Sequence, residues 1–373
     1  MSMKLTKAEV VPVRMPVSDR LRIRDSYGWK TESAYNIVRI TDDRGNVGIG
    51  EASFTDVWSG ERQASSKEAI EQVLIPAIRE FDLTNIRQIV TAMDRALYGH
   101  LSSKAAIEMA LLDLNGKALG VPLYRLLGGR VRDTLPVKFS VSAVNDDRLH
   151  DIVDFAISKG IRTVKVKVGT GMEADLARVR AIRSAYGDDI RIAVDANNAW
   201  RLEEAKAMIA RLEPYDPAFI EQPLAREDYR GARELRRFTA CPIVLDESLF
   251  TVEQAMTAIR EDAGDVYSVY PNKNGGVLKT VQILALVGAA KKIGLLGSNL
   301  ELGIGSAAMA HIGISNEKID DLTYPSDIIG PLYHTDDVIT TPLRYENGRI
   351  AVPDGPGLGV SIDEDKLRYY RSG

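Results

Sequence analysis

The sequence predicts an α/β protein, a modified (β/α)8-type TIM barrel with an α+β capping domain that the C-terminal tail completes. From about residue 134, short apolar runs recur roughly every 20 to 30 residues, and amphipathic helical patterns separate them. This alternation is typical of a parallel barrel. The chain has 373 residues, more than the roughly 250 that a barrel needs. Acidic residues follow three successive apolar runs, where a barrel enzyme places its active site.

Residues 1–128 predict the capping domain. Strand-like runs come first, and helical patterns with apolar residues at three-and-four spacing follow. The strand runs are KAEVVPVRM, YNIVRITDD and GNVGIGEAS, and the helical runs are SKEAIEQVLIPAIREF, NIRQIVTAMDRALYG and SKAAIEMALLDLNGKALG.

Residues 129–337 predict the barrel, with eight strand candidates. In chain order these are PVKFSVSA, TVKVKVG, RIAVDAN, AFIEQP, CPIVLDES, DVYSVYP, GLLGSN and DLTYP. No GxGxxG motif follows a strand, which disfavours a dinucleotide-binding doubly wound sheet. Residues 338–373 hold two short strand patterns, and we expect this segment to pack back on the capping domain.

The composition excludes several classes of protein. The net charge is −4, and lysines and arginines are scattered, so no basic surface for nucleic acid is expected. The N-terminus lacks the apolar core of a signal peptide, and no apolar run approaches the roughly 18 residues that span a bilayer. Cys241 is the only cysteine, which fits a reducing compartment. We therefore expect a cytoplasmic protein with neither membrane nor nucleic acid as partner.

Asp195, Glu221 and Asp246 end three successive strand-like runs, at intervals of 26 and 25 residues. Each interval is about one strand–helix unit, so a barrel would bring the three carboxylates to one rim. Buried like charges repel unless a cation neutralises them, and oxygen ligands suit a hard ion such as Mg²⁺, with Mn²⁺ as the alternative. One unit earlier, Lys165 and Lys167 share a strand face. A lysine pair facing a metal-bound substrate can move protons.

The order and flanking residues of these positions resemble the enolase superfamily, and within it the muconate lactonizing enzyme subgroup of the mandelate racemase/muconate lactonizing enzyme family. The matching stretches are AAIEMALLDLNGKALGVPLYRLLGG, TVKVKVG, VDANNAW, IEQPL, LDES, KNGG and GPGLGVSID. The resemblance implies a capping domain over a modified barrel and Mg²⁺ held by the three carboxylates, with Asn197 supporting the metal site. It also implies that Lys167 is the acid/base, while Lys165 lowers its pKa and contacts the substrate carboxylate.

One position departs from the family pattern. The resemblance implies that members working on both faces of the substrate carry a second lysine on the sixth barrel strand, three residues before the lysine of a KxxK-x-GG pattern. Tyr270 stands at that position here, and Lys273 matches the later lysine. Because inversion needs a proton donor on each face, this difference argues against racemase activity. Elimination or lactone closure can proceed from Lys167 alone, with Tyr270 as a further catalytic candidate.

Other candidates surround the predicted site. Glu301 matches a family acidic residue that faces the substrate, and we assign it a catalytic, hydrogen-bonding role. The resemblance places substrate selection on two capping-domain loops, at about 20–31 and 53–61. The candidate substrate-binding residues are Tyr27, Lys30, Asp56, Trp58, Ser140, Asn197, Lys273 and Asn299.

Three functions are compatible with these residues. The leading hypothesis is a Mg²⁺-dependent lyase or cycloisomerase that transfers a proton α to the carboxylate of a small substrate through an enediolate. Muconate-type lactonisation and β-elimination of water both fit it. The second hypothesis is a racemase or epimerase of an amino-acid derivative or dipeptide, with Tyr270 replacing the missing lysine. The third is a non-catalytic metal-binding barrel. A homo-oligomer is expected, as is common for such barrels.

Overall fold

The computed structural model describes residues 2–372. The strands are β1 (Leu5–Pro16), β2 (Ile23–Asp25), β3 (Gly28–Lys30), β4 (Glu32–Asp42), β5 (Val47–Phe54), β6 (Thr134–Pro136), β7 (Phe139–Val141), β8 (Thr163–Lys167), β9 (Arg191–Asp195), β10 (Ile220–Glu221), β11 (Ile243–Leu245), β12 (Val266–Val269), β13 (Ile293–Leu296), β14 (Tyr345–Glu346) and β15 (Arg349–Ala351). The α-helices are α1 (Asp56–Ser59), α2 (Gln63–Ala69), α3 (Ile75–Ile78), α4 (Ile86–Ala96), α5 (Leu101–Leu119), α6 (Leu123–Leu126), α7 (Arg148–Ser158), α8 (Met172–Tyr186), α9 (Leu202–Leu212), α10 (Tyr229–Phe238), α11 (Val252–Arg260), α12 (Pro271–Asn274), α13 (Val277–Ala289), α14 (Gly303–Ser315), α15 (Gly330–Tyr333) and α16 (Glu364–Tyr369). A π-helical stretch, Ile70–Leu74, joins α2 to α3, and 3-10 turns cover Asp19–Leu21, Gly187–Asp189 and Glu213–Tyr215.

The N-terminal region is an antiparallel sheet covered by helices. β1, β4 and β5 pair in that order, and α5 lies across β5. Two glycines allow this close approach: a Cβ at Gly50 would lie 1.9 Å from the Ala106 carbonyl oxygen, and one at Gly48 would lie 2.0 Å from that of Ala110. Any side chain at these positions would push the helix off the sheet.

The barrel sheet consists of β7 to β13, all parallel and neighbours in chain order. Helices connect successive strands, which confirms the predicted barrel with its capping domain. Lys167 of β8 pairs with Asp195 of β9, and Asp195 pairs with Glu221 of β10. This register places three of the predicted site residues side by side at the carboxyl edge of the sheet.

The prediction of a regular eighth strand at DLTYP is wrong, because this segment forms no β-strand. The segment closes the barrel through single parallel bridges, Gly294 to Ile319 and Val137 to Ser326. The Asp320 carboxylate explains the irregularity, because its Oδ1 accepts the backbone N–H groups of Leu322, Thr323 and Tyr324 at 3.0, 2.5 and 2.7 Å. Backbone N–H groups that bind a nearby side chain cannot also form the hydrogen bonds between neighbouring strands of a sheet.

The C-terminal segment contacts both parts of the chain. β15 pairs with β6 next to the barrel, while Arg371 bridges to Val13 of β1. The N–H of Leu358 donates to Asp113 of α5 at 2.7 Å. These contacts join the tail to the capping domain, and the exact domain boundaries at 128 and 337 stay predictions.

One large apolar cluster runs through both domains. It includes Tyr35 and Met109 of the capping domain and Val166 and Ile220 of the barrel, all fully buried. This shared core holds the capping domain over the carboxyl ends of the barrel strands. Along residues 2–372, no helix combines the length and the apolar character needed to cross a membrane.

Candidate active site

A cavity of about 380 Å³ lies between the carboxyl ends of the barrel strands and the capping-domain loops. Twelve of the residues predicted for the site line it. These are Tyr27, Lys30, Trp58, Ser140, Lys165, Lys167, Asp195, Asn197, Glu221, Asp246, Tyr270 and Asn299. The structure therefore gathers side chains that are far apart in sequence, although their chemical roles stay predictions.

The three carboxylates occupy neighbouring strand ends. Asp195 and Glu221 are the last residues of β9 and β10, and Asp246 directly follows β11. All three are at most 7% exposed. Burial raises the pKa of Glu221. Burial also acts upward on the pKa of Asp195, but Lys167 and Lys165 outweigh it and the net shift is downward.

Lys165 lies at the centre of a buried charge network. Its Nζ donates to Glu221 Oε1 at 2.6 Å and to Asp327 Oδ2 at 2.9 Å. Lys138 Nζ, fully buried, contacts the same Asp327 oxygen at 2.9 Å. Although burial lowers the pKa of Lys165, Asp327 and Glu221 more than reverse this effect. The sequence analysis did not identify Lys138, although a lysine within the apolar run PVKFSVSA was a visible signal.

Lys167 projects beside Lys165, as the strand period predicted. Its Nζ donates to Asp195 Oδ2 at 2.7 Å and to Asn197 Oδ1 at 2.8 Å. Burial and Lys165 both lower the pKa of Lys167, but Asp195 outweighs them and the pKa is raised. Lys165 therefore lowers the pKa of Lys167, as predicted. The pKa of Lys167 is nevertheless raised overall, because Asp195 is its ion-pair partner.

Asn197 connects this lysine to a residue that the sequence analysis missed. Its Nδ2 donates to Glu247 Oε1 at 3.0 Å, and Tyr27 Oη donates to the same oxygen at 3.2 Å. Burial, together with the neighbouring Asp246, raises the pKa of Glu247 to about 7. The adjacent acids in LDES were the signal for Glu247. Asn197 orients Lys167 and Glu247.

Tyr270 forms part of the aromatic wall of the cavity. Its ring stacks on Trp58 of α1, with ring centroids 5.9 Å apart and an angle of 16° between the planes. Burial raises the pKa of Tyr270 well above its ordinary value. Within residues 2–372, the structure gives its hydroxyl no hydrogen-bond partner. The hydroxyl is therefore free to meet a substrate.

Lys273 does not line the cavity, so its predicted substrate contact is corrected. Its Nζ donates to the Asp246 carboxylate, to Asp246 O at 2.8 Å and to Ser268 O at 2.7 Å. These acceptors draw the fully buried ammonium behind the third carboxylate. Asp56 is also outside the cavity lining; its half-exposed carboxylate pairs with Arg62 at 2.9 Å.

Glu301 is buried but lies outside the cavity lining. Its carboxylate accepts from Ser298 Oγ at 2.6 Å, Asn299 N–H at 3.0 Å and Ser53 Oγ at 3.3 Å. Ser298 and Asn299 of the loop after β13 and Ser53 of β5 hold this carboxylate, and its predicted role toward the substrate stays a prediction. Through this contact Glu301 positions Asn299, which does line the cavity.

Comparisons with known proteins agree with this geometry. Residues 7–128 match the model for the mandelate racemase/muconate lactonizing enzyme N-terminal domain, and residues 149–366 match the model for the enolase C-terminal domain-like family. The chain belongs to the mandelate racemase/muconate lactonizing enzyme family of the enolase superfamily.

Relatives within this family are enzymes with different reactions. L-Ala-D/L-Glu epimerase of Bacillus subtilis is 33% identical, with 96% of this chain and 97% of the relative covered. Chloromuconate cycloisomerase of Pseudomonas putida is 32% identical, with 99% of each covered. The structure of muconate lactonizing enzyme from Pseudomonas fluorescens complexed with muconolactone superposes with a TM-score of 0.95 at 31% identity, covering all of both chains. The chain is an enolase-superfamily enzyme of the isomerase/lyase type, and the non-catalytic alternative is set aside.

The family uses a divalent metal, and the residues present here fit one. Among residues 2–372, no three acidic, histidine or cysteine side chains already surround a common point, because Lys165, Lys167 and Lys273 each hold one of the three carboxylates. Glu221 Oε2 is buried and has no hydrogen-bond partner in this part of the chain. A buried carboxylate oxygen without a donor is costly, and a hard cation would satisfy it.

Proposed function

We propose that this family member is a Mg²⁺-dependent lyase or cycloisomerase that moves a proton α to the carboxylate of a small substrate, with Lys167 as its single acid/base. Asp195, Glu221 and Asp246 would hold the ion. When bound, Mg²⁺ supplies positive charge next to the two oxygens of the enediolate that forms as the proton leaves.

The observation that carries this proposal is the asymmetry of the cavity. Lys165 and Lys167 extend from β8 on one wall, while the aromatic Tyr270 occupies the position of a second-face lysine. Lys273, the nearest lysine in sequence, is committed to Asp246. Inversion at the α-carbon needs donors on both faces, whereas elimination or ring closure needs one.

The remaining residues have assignable tasks in such a reaction. Lys165 is a buried ammonium between Glu221 and Asp327, suited to bind the substrate carboxylate. Lys167 takes the proton from the α-carbon of the substrate. For this step its amine must be neutral, so its ion pair with Asp195 must first be broken. Trp58 and Tyr270 form an apolar wall that excludes water and strengthens these charge interactions.

A racemase or epimerase is the second candidate. Its support is the free hydroxyl of Tyr270 in the cavity together with the relatives named epimerase or racemase, which include N-succinyl-L-Arg/Lys racemase of Bacillus cereus at 31% identity. Turnover in D₂O separates the two candidates. Exchange with inversion at the α-carbon would contradict the lyase proposal, whereas loss of water or ring closure without inversion supports it.

Lys167→Ala tests the proposed base. Exchange of the substrate α-proton with D₂O, followed by NMR, should fall by about 10²- to 10⁴-fold, the usual contribution of a general base. Mg²⁺ should still raise the melting temperature, since the three carboxylates remain. Lys366→Ala, which removes a surface ammonium paired with Asp336, is the control and should keep full exchange. Wild-type exchange in Lys167→Ala would remove the central assignment.

The expected homo-oligomer stays a prediction, and light scattering of the purified protein would measure it.

A further inference from the structure

A hairpin formed by β2 and β3 covers the cavity and is fixed to the barrel rim. The N–H of Arg24 donates to Ser142 Oγ at 2.7 Å, next to the loop after β7. Ser26 Oγ donates to Asn197 O at 2.8 Å, in the loop after β9. Since these contacts reach two separate barrel loops, the hairpin presents its side chains to the cavity from a defined position.

One face of this hairpin carries two opposite charges. Asp25 pairs with Gly28, and Ile23 pairs with Lys30. Directly paired residues share a face of a sheet, and residues two apart on a strand do so too. Asp25 and Lys30 are therefore on the same face, and both line the cavity.

Neither charge forms a direct ion pair in the part of the chain that the structure describes. Asp25 Oδ1 accepts the N–H of Tyr27 at 2.8 Å, and no cation binds the carboxylate. Lys30 Nζ contacts only neutral oxygens, Thr55 Oγ1 at 3.2 Å and Asn299 Oδ1 at 3.3 Å. Burial lowers the pKa of Lys30 to about 8, although the Asp25 carboxylate acts in the opposite direction. The Asp25 carboxylate and the Lys30 ammonium both line the cavity without pairing directly. They are therefore suited to bind a ligand that carries both a positive and a negative charge.

The direct ion pairs of the cavity leave one lining carboxylate for a cationic group of the substrate. The lining contains six carboxylates and three ammonium groups: Asp25, Glu32, Asp195, Glu221, Asp246 and Asp327, with Lys30, Lys165 and Lys167. Each carboxylate at the strand ends forms an ion pair with a buried lysine. Glu32 pairs with Arg14. Among the described lining residues, Asp25 is the carboxylate without a direct ion pair, and the Lys30 and Lys167 ammonium groups act on it only through space.

We propose that Asp25 binds a protonated amine of the substrate, which makes a small amino or imino carboxylate the substrate class. This assignment rests on the proposed function and narrows its substrate. The substrate carboxylate lies at Lys165, and its ammonium lies under the hairpin at Asp25. A charge-assisted hydrogen bond from the amine satisfies the carboxylate that the protein leaves without a cation.

The test compares carboxylates that differ only in the amine. A library of matched pairs, such as L-threonine with 3-hydroxybutyrate and L-proline with cyclopentanecarboxylate, is incubated with Mg²⁺ in D₂O, and turnover and α-proton exchange are followed by NMR. Asp25→Asn keeps the shape of the side chain and removes its charge. Asp133→Asn, whose 87% exposed carboxylate pairs with Arg130, is the matched control.

The wild-type protein should process the amine-bearing members of the library in preference to their partners. Asp25→Asn should raise KM for the amine-bearing substrates by about 10- to 100-fold and leave kcat and the KM of amine-free carboxylates nearly unchanged. Equal KM values in wild type and Asp25→Asn, or wild-type preference for the amine-free partners, would overturn the role of Asp25 while leaving proton transfer at Lys167 intact. No exchange or turnover with any library member would contradict the proposed function itself, and the inference with it.

Discussion

At the scale of single residues, charge pairing decides where the long side chains of the site lie. Lys165, Lys167 and Lys273 are all buried, and each ammonium contacts one of the three carboxylates at the strand ends. Moving an unpaired ammonium from water into the protein interior is costly, so each of these buried lysines lies beside a carboxylate. Lys165 and Lys167 also line the cavity, where they can meet the substrate, whereas Lys273 does not.

Tyr270→Phe separates packing from proton transfer at the aromatic wall. The phenyl ring keeps the stacking on Trp58, and the hydroxyl has no partner to lose within residues 2–372. If Lys167 is the single acid/base, the rate of α-proton exchange should fall by less than about 10-fold. A loss of about 10² or more, the size of a general acid's contribution, would instead assign proton transfer to the tyrosine. Urea unfolding of the variant checks that stability is unchanged.

At the scale of secondary-structure elements, one helix of the capping domain fixes the start of a barrel helix. Glu108 of α5 is fully buried, and its Oε1 accepts the N–H of Leu278 in the first turn of α13 at 2.7 Å. A carboxylate at a helix N-terminus satisfies a free backbone donor and interacts favourably with the helix dipole. This contact helps to hold α5, and the sheet packed on it, in register with the barrel rim.

Gly276→Ala should disrupt that contact. Gly276 has φ +131°, and a Cβ there would lie 1.8 Å from Glu108 Oε2. Gly128→Ala is the matched control, because Gly128 has φ +108° and no atom within 4 Å of the added Cβ. Both variants acquire backbone strain, about 1–2 kcal/mol, but Gly276→Ala should lose about 2 kcal/mol more of its unfolding free energy through steric overlap. Equal losses in urea denaturation would show that Glu108 tolerates the methyl group.

At the scale of the whole molecule, the C-terminal tail, the capping domain and the barrel share buried contacts. His311 of α14 lies where they meet: its Nδ1 accepts the N–H of Tyr124, at 3.3 Å, and its Nε2–H donates to Leu358 O, at 3.1 Å. This arrangement requires a neutral ring, because a protonated Nδ1 would face another N–H donor. Burial lowers the pKa of His311 to about 4.

The free energy of unfolding should therefore decrease as the pH is lowered from about 6.5 to about 4. The unfolded chain binds a proton at His311 near pH 6.5, whereas the folded protein does so only near pH 4, so acid favours unfolding by about 3 kcal/mol over this interval. His311→Asn should be less stable at pH 7 but should lose about 3 kcal/mol less on acidification, as measured by urea denaturation at each pH. His150→Asn, at a ring packed against Tyr186 on the surface, should keep the wild-type slope. An unchanged slope in His311→Asn would show that other groups cause the acid sensitivity.

The sequence by itself determined the barrel, its capping domain and the convergence of the principal polar residues. Asp195, Glu221 and Asp246 recur at about one strand–helix unit, and parallel strands end at the same edge of a sheet, so the spacing alone brings them together. Lys165 and Lys167 share a face because side chains alternate along a strand. The tyrosine at position 270 was also visible, but that a lysine is expected there came from the resemblance of this stretch to the family pattern KxxK-x-GG.

Only the tertiary structure decided which way the flexible and loop-borne groups point. Lys273 turns behind Asp246, and Glu301 binds its own loop, because neighbours that are distant in sequence offer them charges and donors. Asp320 captures the backbone donors that a regular eighth strand would have used. Asp25 acquires its place in the cavity from a hairpin anchored on two barrel loops. Strand periodicity is a local property that a sequence displays, whereas the partner of a buried charge depends on which segments the fold brings within hydrogen-bonding distance.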